Sequence, residues 1–151
     1  VSVSTNRRIA VAAAAVAVFW AGLAFNLTRT PDYDAYHRTL LQVAESAHDA
    51  TQTGRLVAQE QLGGRVNGAF ASAAFGDAAK ALAGAQRKFA GQGPPDARSA
   101  ALRDGLSPLL SQAVIALGDA AEAADDTRLK AASDRLDQLA GQLRAFITAH
   151  G

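Results

Sequence analysis

Residues 126–150 read DTRLKAASDRLDQLAGQLRAFITAH, and within them Leu129, Ala132, Leu136, Leu139, Leu143 and Phe146 recur in alternating steps of three and four. That period lays an apolar stripe along one side of an α-helix and leaves Asp, Arg, Lys and Gln on the other. A helix of this kind cannot hide its stripe alone, so the stretch calls for partners of the same build.

Working back along the chain, three more segments supply them. A helix from about Asp96 to Ala124 carries Ala97, Ala101, Leu106, Leu109, Leu110, Ala113, Leu117, Ala120 and Ala124. Ser107-Pro108 interrupts it, either as a kink or as a fresh start with Ser107 as cap and Pro108 at the first helical position. Gly91-Gln92-Gly93-Pro94-Pro95 is the clearest turn in the sequence. Before it, a helix from about Arg65 to Phe89 shows Val66, Phe70, Ala73, Ala74, Ala78, Ala81, Leu82, Ala85 and Phe89 on one broad face. In the same helix Gly68, Ser72, Gly76 and Gly84 form a ridge without bulk, at which a neighbouring backbone is expected to approach closely. The first helix starts near residue 31, where Thr30 can cap, Pro31 suits the first position and Asp32 and Asp34 favour the positive helix end. Tyr33, Tyr36, Leu40, Val43, Ala47, Ala50, Gly54 and Val57 form its seam, and Gly63-Gly64 is the first break.

Ahead of these helices, residues 9–25 (IAVAAAAVAVFWAGLAF) carry no charge, and Arg7 and Arg8 precede them. With Asn26 and Leu27 the segment approaches the roughly 30 Å of a hydrocarbon core at 1.5 Å per residue. Two arginines before it against Arg29 after it place the N-terminus inside and the rest outside. The competing reading is a cleaved signal peptide with a small-x-small site at Gly22-Leu23-Ala24, which makes the protein secreted. The expected fold is therefore all-α: a short cytoplasmic tail over 1–8, a single transmembrane or signal helix over 9–27, a linker over 28–30, and an antiparallel up-down-up-down four-helix bundle over 31–151.

Composition narrows the function classes. The chain has 151 residues, enough for one domain with a core, and about a quarter of them are Ala. It has no Cys, which removes disulfides, thiolate metal sites, c-type haem and Cys nucleophiles. From residue 31 onward 12 basic residues face 14 acidic ones, so the electrostatic footprint of nucleic-acid binding is missing. No Gly-x-Ser-x-Gly elbow or phosphate loop is present, and no catalytic residue or cofactor site is assigned. The weak metal candidates are Glu45 and His48, a single Glu-x-x-His pair where carboxylate-bridged bundles use two, together with His37.

Charge placement adds a polarity. In an up-down bundle Arg87, Lys88, Arg98 and Arg103 gather at the membrane-proximal end, where anionic headgroups suit them. Asp119, Glu122, Asp125 and Asp126 make an acidic far tip. In outline the chain resembles the extracytoplasmic helical-bundle sensor modules of bacterial transmembrane receptors; with no second span or signalling domain after the bundle, a sensor of this form reports through a partner protein. The expected role is a non-enzymatic, membrane-anchored interaction or accessory module of a cell-envelope complex. Its partners are the membrane through residues 9–27 and an unidentified protein, with self-association left open. The alternative is a bundle that binds a small ligand or metal ion between helices around Tyr33, Tyr36, His37, Phe89 and Phe146.

Overall fold

The computed structural model describes residues 32–151, which form four α-helices with no strand among them. The tail, the apolar span, the linker and Pro31 lie outside the described residues. The helices are α1 (Tyr33–Leu62), α2 (Gly68–Ala90), α3 (Ala97–Ala121) and α4 (Asp126–His150). Each packs on the next in sequence, and α1 also packs on α4 and, across the diagonal, on α3. Contacts such as Ser72 with Ala121 and Gln86 with Ser111 show α2 and α3 running antiparallel. Four helices in this cyclic arrangement are a four-helix bundle.

Side-chain caps open three of the helices. Asn67 Oδ1 accepts the Phe70 N–H at 2.8 Å, Asp96 Oδ1 the Ser99 N–H at 2.7 Å, and Asp125 Oδ1 the Arg128 N–H at 2.8 Å. Each satisfies an amide that the helix cannot, which is worth about 1 kcal/mol. The close of α1 is equally defined. Gly64 takes φ +71, the Arg65 N–H donates to the Glu60 carbonyl at 2.9 Å, and the Gly64 N–H to the Gln61 carbonyl at 3.0 Å. These two bonds make a Schellman close, which needs a residue free to adopt the left-handed region. The Arg65 guanidinium then grips the Glu60 carboxylate across the same turn through Nε and Nη2.

The core is a column of Leu and Ala with aromatic residues set into it. On α4 the stripe lies as its spacing predicts: Leu129, Ala132, Leu136, Leu139 and Leu143 are buried and Phe146 is half-buried. The other helices correct the sequence reading. In α2 the buried residues are Ala71, Phe75, Leu82 and Phe89, while Phe70, Ala73 and Ala81 are exposed. Steps of seven from Phe75 to Leu82 to Phe89 set the phase, and Phe70, five residues before Phe75, is turned about 140° away from it at 100° per residue. The helix also begins at Gly68 rather than Arg65, because Asn67 caps it. In α3 Ser99, Leu102 and Ala116 are buried, whereas Ala97, Ala101 and Ala124 are exposed. The helix runs unbroken through Pro108, whose ring sits on the exposed face, so the carbonyl it leaves without a donor belongs to the equally exposed Asp104. In α1 Ala44, Thr51 and Ala58 are buried and Val43, Ala50 and Val57 half-buried, since a helix that touches three others presents a stripe wider than one seam. Thr51 tolerates full burial because its hydroxyl donates to the His48 carbonyl at 2.8 Å.

Close approach falls at a different glycine from the ones expected. A Cβ at Gly76 or Gly84 meets nothing within 4 Å, so the ridge of α2 receives no neighbouring backbone. A Cβ at Gly54 in α1 lies 2.6 Å from Leu117 Cδ2 and 3.2 Å from Leu136 Cδ1. Both leucines are fully buried and have little room to retreat. Opposite effects of one chemical change follow. Gly76→Ala is expected to raise the thermal midpoint, because Ala gains up to about 1 kcal/mol over Gly inside a helix. Gly54→Ala is expected to lower it by overpacking, by about 1 to 3 kcal/mol. Thermal melts of the two variants, followed by circular dichroism, check this; shifts of the same sign would show that Gly54 is not the contact point.

Candidate functional site

The up-down order brings the start of α1, the start of α3 and the end of α4 to one end of the bundle, and these three carry most of its exposed ring chemistry. On α1, Tyr33 and His37 stand one turn apart and stack, with ring centroids 5.3 Å apart and an interplanar angle of 16°. On α4, Phe146 and His150 have the same spacing and meet at 4.6 Å and 57°. From α3, Arg98 lays its guanidinium carbon 4.2 Å from the Tyr33 ring centroid. Ala101, Leu102 and Gly105 of α3 complete a groove of about 680 Å³, lined by these residues with Ala149 and Gly151. Gly105 faces Phe146 across it, a Cβ there standing 3.4 Å from Phe146 Cε2, an ordinary contact.

No Asp or Glu side chain lines this groove. Among the described residues no carboxylate lies within ion-pair distance of Arg98, and residues 1–31 contain neither Asp nor Glu. Asp96, two residues before Arg98, turns to the backbone instead, where the Ser99 N–H donates to it. Arg98 stands in the first turn of α3, the end at which the helix dipole disfavours a cation. Arg98 thus sets one cation at the groove mouth beside apolar walls, with the Asp96 carboxylate capping the same helix end.

Of the residues the sequence placed around a ligand, the structure brings Tyr33, His37 and Phe146 into this groove. Tyr36 and Phe89 are buried beneath and pack on each other, ring centroids 5.6 Å apart. Burial pushes the Tyr36 phenol above its usual range, with Arg103 opposing and Asp104 reinforcing the shift. Its hydroxyl has no hydrogen-bond partner among the described residues. Arg98, Gly105 and His150 were not assigned to this place from the sequence. The pairing of Phe146 with His150 at a four-residue spacing, matching Tyr33 with His37, is the signal that could have found the last of them.

The other candidates are scattered. Glu45 is exposed, while His48 is half-buried with Nδ1 3.6 Å from Asp49 Oδ1. Its Nε2 is buried without a partner among the described residues. His37 stands three turns away from His48 along α1, about 16 Å at 1.5 Å per residue, so the two share no site. No group of three or more His, Asp or Glu able to hold a metal ion occurs among the described residues. Arg87, Lys88, Arg98 and Arg103 all lie at the end of the groove, but Arg103 is paired with Asp104 at 3.1 Å and Arg98 covers Tyr33. Arg87 and Lys88 are exposed in the last turn of α2, which favours cations. At the far end Asp125 is the cap of α4 and lies 3.9 Å from Arg128 Nε. Asp119 and Glu122 flank a shallow cleft with Arg128 and Arg135, and Asp126 another with Lys130. Local bases therefore interleave the acidic tip.

Two carboxylates carry a pH signature. The Ser99 backbone N–H, followed by the charge of Arg98, holds Asp96 below the usual carboxylate range, and the hydrogen bond from Arg65 does so for Glu60. A depressed folded pKa gives stability that is present above the ordinary carboxylate value and lost as pH falls through the folded one. The thermal midpoint is therefore expected to fall as the pH drops below about 4. Asp96→Ala should lower the midpoint at neutral pH and show a smaller acid-induced drop; an equal drop in both proteins would unlink the cap from acid stability. Compared with protein-family models, with curated proteins and with solved structures, the chain finds no match in any of the three.

Proposed function

We propose that the protein is a non-enzymatic helical bundle held at a membrane by residues 9–27, with its N-terminus inside and residues 31–151 displayed outside, where it serves as an interaction or accessory module of an envelope complex. The observation that carries this reading is the uncharged run 9–25 directly behind Arg7 and Arg8. Among the described residues no helix is long and apolar enough to cross a membrane, so the anchor rests on residues 9–27 alone. Surface chemistry at the end opposite the groove supports a protein partner. Phe70 is 62% and Leu56 53% exposed. The Tyr36–Phe89 contact sets the register of α1 against α2, and that register brings Leu56 and Phe70 to the same level on neighbouring helices. Large apolar side chains left in water on adjacent helices favour contact with another surface. Arg87 and Lys88, exposed at the groove end, are the residues placed to meet anionic headgroups.

A second reading is favoured by the groove itself. An open, ring-lined space of about 680 Å³ with one cation at its mouth is of ligand-binding size and character, and it supports a bundle that binds a small molecule.

The anchor reading is tested by fractionating cells that express the full chain and sequencing the N-terminus of the product. The protein is expected in the membrane fraction with residues 9–27 intact, and deletion of that segment should release it. A soluble product beginning at Phe25 would instead establish secretion. In vesicle binding, Arg87→Gln with Lys88→Gln is expected to weaken attachment to anionic but not to neutral lipid, by roughly 1 kcal/mol per charge removed. Equal loss on both lipids would remove the headgroup contact from the proposal.

A further inference from the structure

Three properties of the groove between α1, α3 and α4 select a class of ligand. Its two walls are ring pairs, Tyr33 with His37 and Phe146 with His150, each held by a one-turn spacing on its own helix. Its charged side chain is Arg98, which stacks on Tyr33 and makes no direct ion pair among the described residues, the cap carboxylate of Asp96 acting on it only through space. Gly105 on α3 faces Phe146 across the groove, where a side chain longer than a methyl group would enter it. Flat walls favour a flat body, because ring faces stack on ring faces and on their edges. A guanidinium with its fork unclaimed favours a carboxylate, which it can meet with two parallel N–H bonds. The absence of acidic side chains from the lining removes the repulsion that an anion would otherwise meet.

We infer that this groove binds a small aryl carboxylate, its ring between the two aromatic walls and its carboxylate on Arg98. The inference rests on the ligand-binding reading of the groove and adds the chemistry of the ligand; it is independent of the membrane anchor. Arg98 stands in the first turn of α3, whose end is already capped by the Asp96 carboxylate, so the attraction comes from the guanidinium itself. The Asp96 carboxylate and the Tyr33 ring face together offset the cost of holding a cation at that helix end.

The test uses the purified full chain in a non-ionic detergent solution, with protein-free detergent as the reference, and equilibrium dialysis against three probes. These are 2-naphthoate, its uncharged isostere 2-naphthamide, and octanoate, a carboxylate without a ring. Binding of 2-naphthoate at least tenfold tighter than either of the others is the expected result. Arg98→Gln should reduce 2-naphthoate binding about tenfold and leave 2-naphthamide unchanged. Gly105→Leu should abolish binding of both ring probes, and its helical melt, no lower than that of the unaltered protein, shows that the fold persists. Equal affinity for 2-naphthamide would overturn the role of Arg98, and equal affinity for octanoate would overturn the flat body, either result leaving the groove as a ligand site. Undiminished binding in Gly105→Leu would place the ligand elsewhere on the protein. No uptake of any probe would overturn both the inference and the ligand-binding reading beneath it.

Discussion

The missing side chain at Gly54 sets the geometry on which the rest of the bundle depends. Leu117 of α3 and Leu136 of α4 both reach the space a Cβ would take there, so one glycine lets α1 meet two helices at the same level. That is why α1 can pack across the diagonal on α3 as well as against its neighbours α2 and α4. Around this point the core is filled by Ala from α1 and Leu from α3 and α4. Small residues on one helix and large ones on the facing pair interdigitate. Thr51 enters this core by bonding back to its own helix, whereas the Tyr36 and Ser99 hydroxyls are buried without a partner among the described residues.

The close-packed middle contrasts with the two ends. At the end where α1 and α3 begin, aromatic side chains replace Ala as the material between helices, and a groove opens among them. Tyr36 and Phe89 seal the core beneath that groove, and Tyr33, His37, Phe146 and His150 line it. At the other end the Schellman close at Gly64, the Glu60–Arg65 pair and the Asp125 cap use up polar groups in finishing helices, while Phe70 and Leu56 are left facing solvent. Surfaces of different chemistry thus occupy opposite ends of the bundle, a ring-lined groove with one cation at one and exposed apolar side chains among mixed charges at the other.

How far this could be read in the sequence depended on how sharply each helix distinguishes its faces. In α4 the buried stripe is Leu apart from Ala132, only Ser133 and Ala140 are buried beside it, and the other positions are mostly charged or amide residues, so stripe and burial nearly coincide. In α2 Ala occupies both buried and exposed positions, and an Ala marks no face. The phase had to be taken from two phenylalanines five residues apart, and either one could have been the buried one. The number of helices, their turns and the starts of α3 and α4 to within a residue were legible because Gly, Pro and Asp act locally. The groove was legible only in part. Tyr33, His37 and Phe146 stand out as rings at helix ends that an up-down order must gather. Arg98 and Gly105 gain meaning only from what faces them across α1 and α4, a relation set by helix register and not by local sequence.

The widest interface in the bundle joins the first helix to the last, and Tyr33 and His150, at the outer ends of those two helices, line one groove. Such a layout decides how the domain answers tension. A force applied between the two ends of the described chain does not slide α1 along α4, which would load the whole interface at once. It draws the pair apart from the groove inward, one turn at a time, so each layer of side chains resists alone. A molecule wedged between the aromatic walls would stand at the opening of that seam. Occupancy of a site a few residues across would then govern the mechanical strength of the entire bundle.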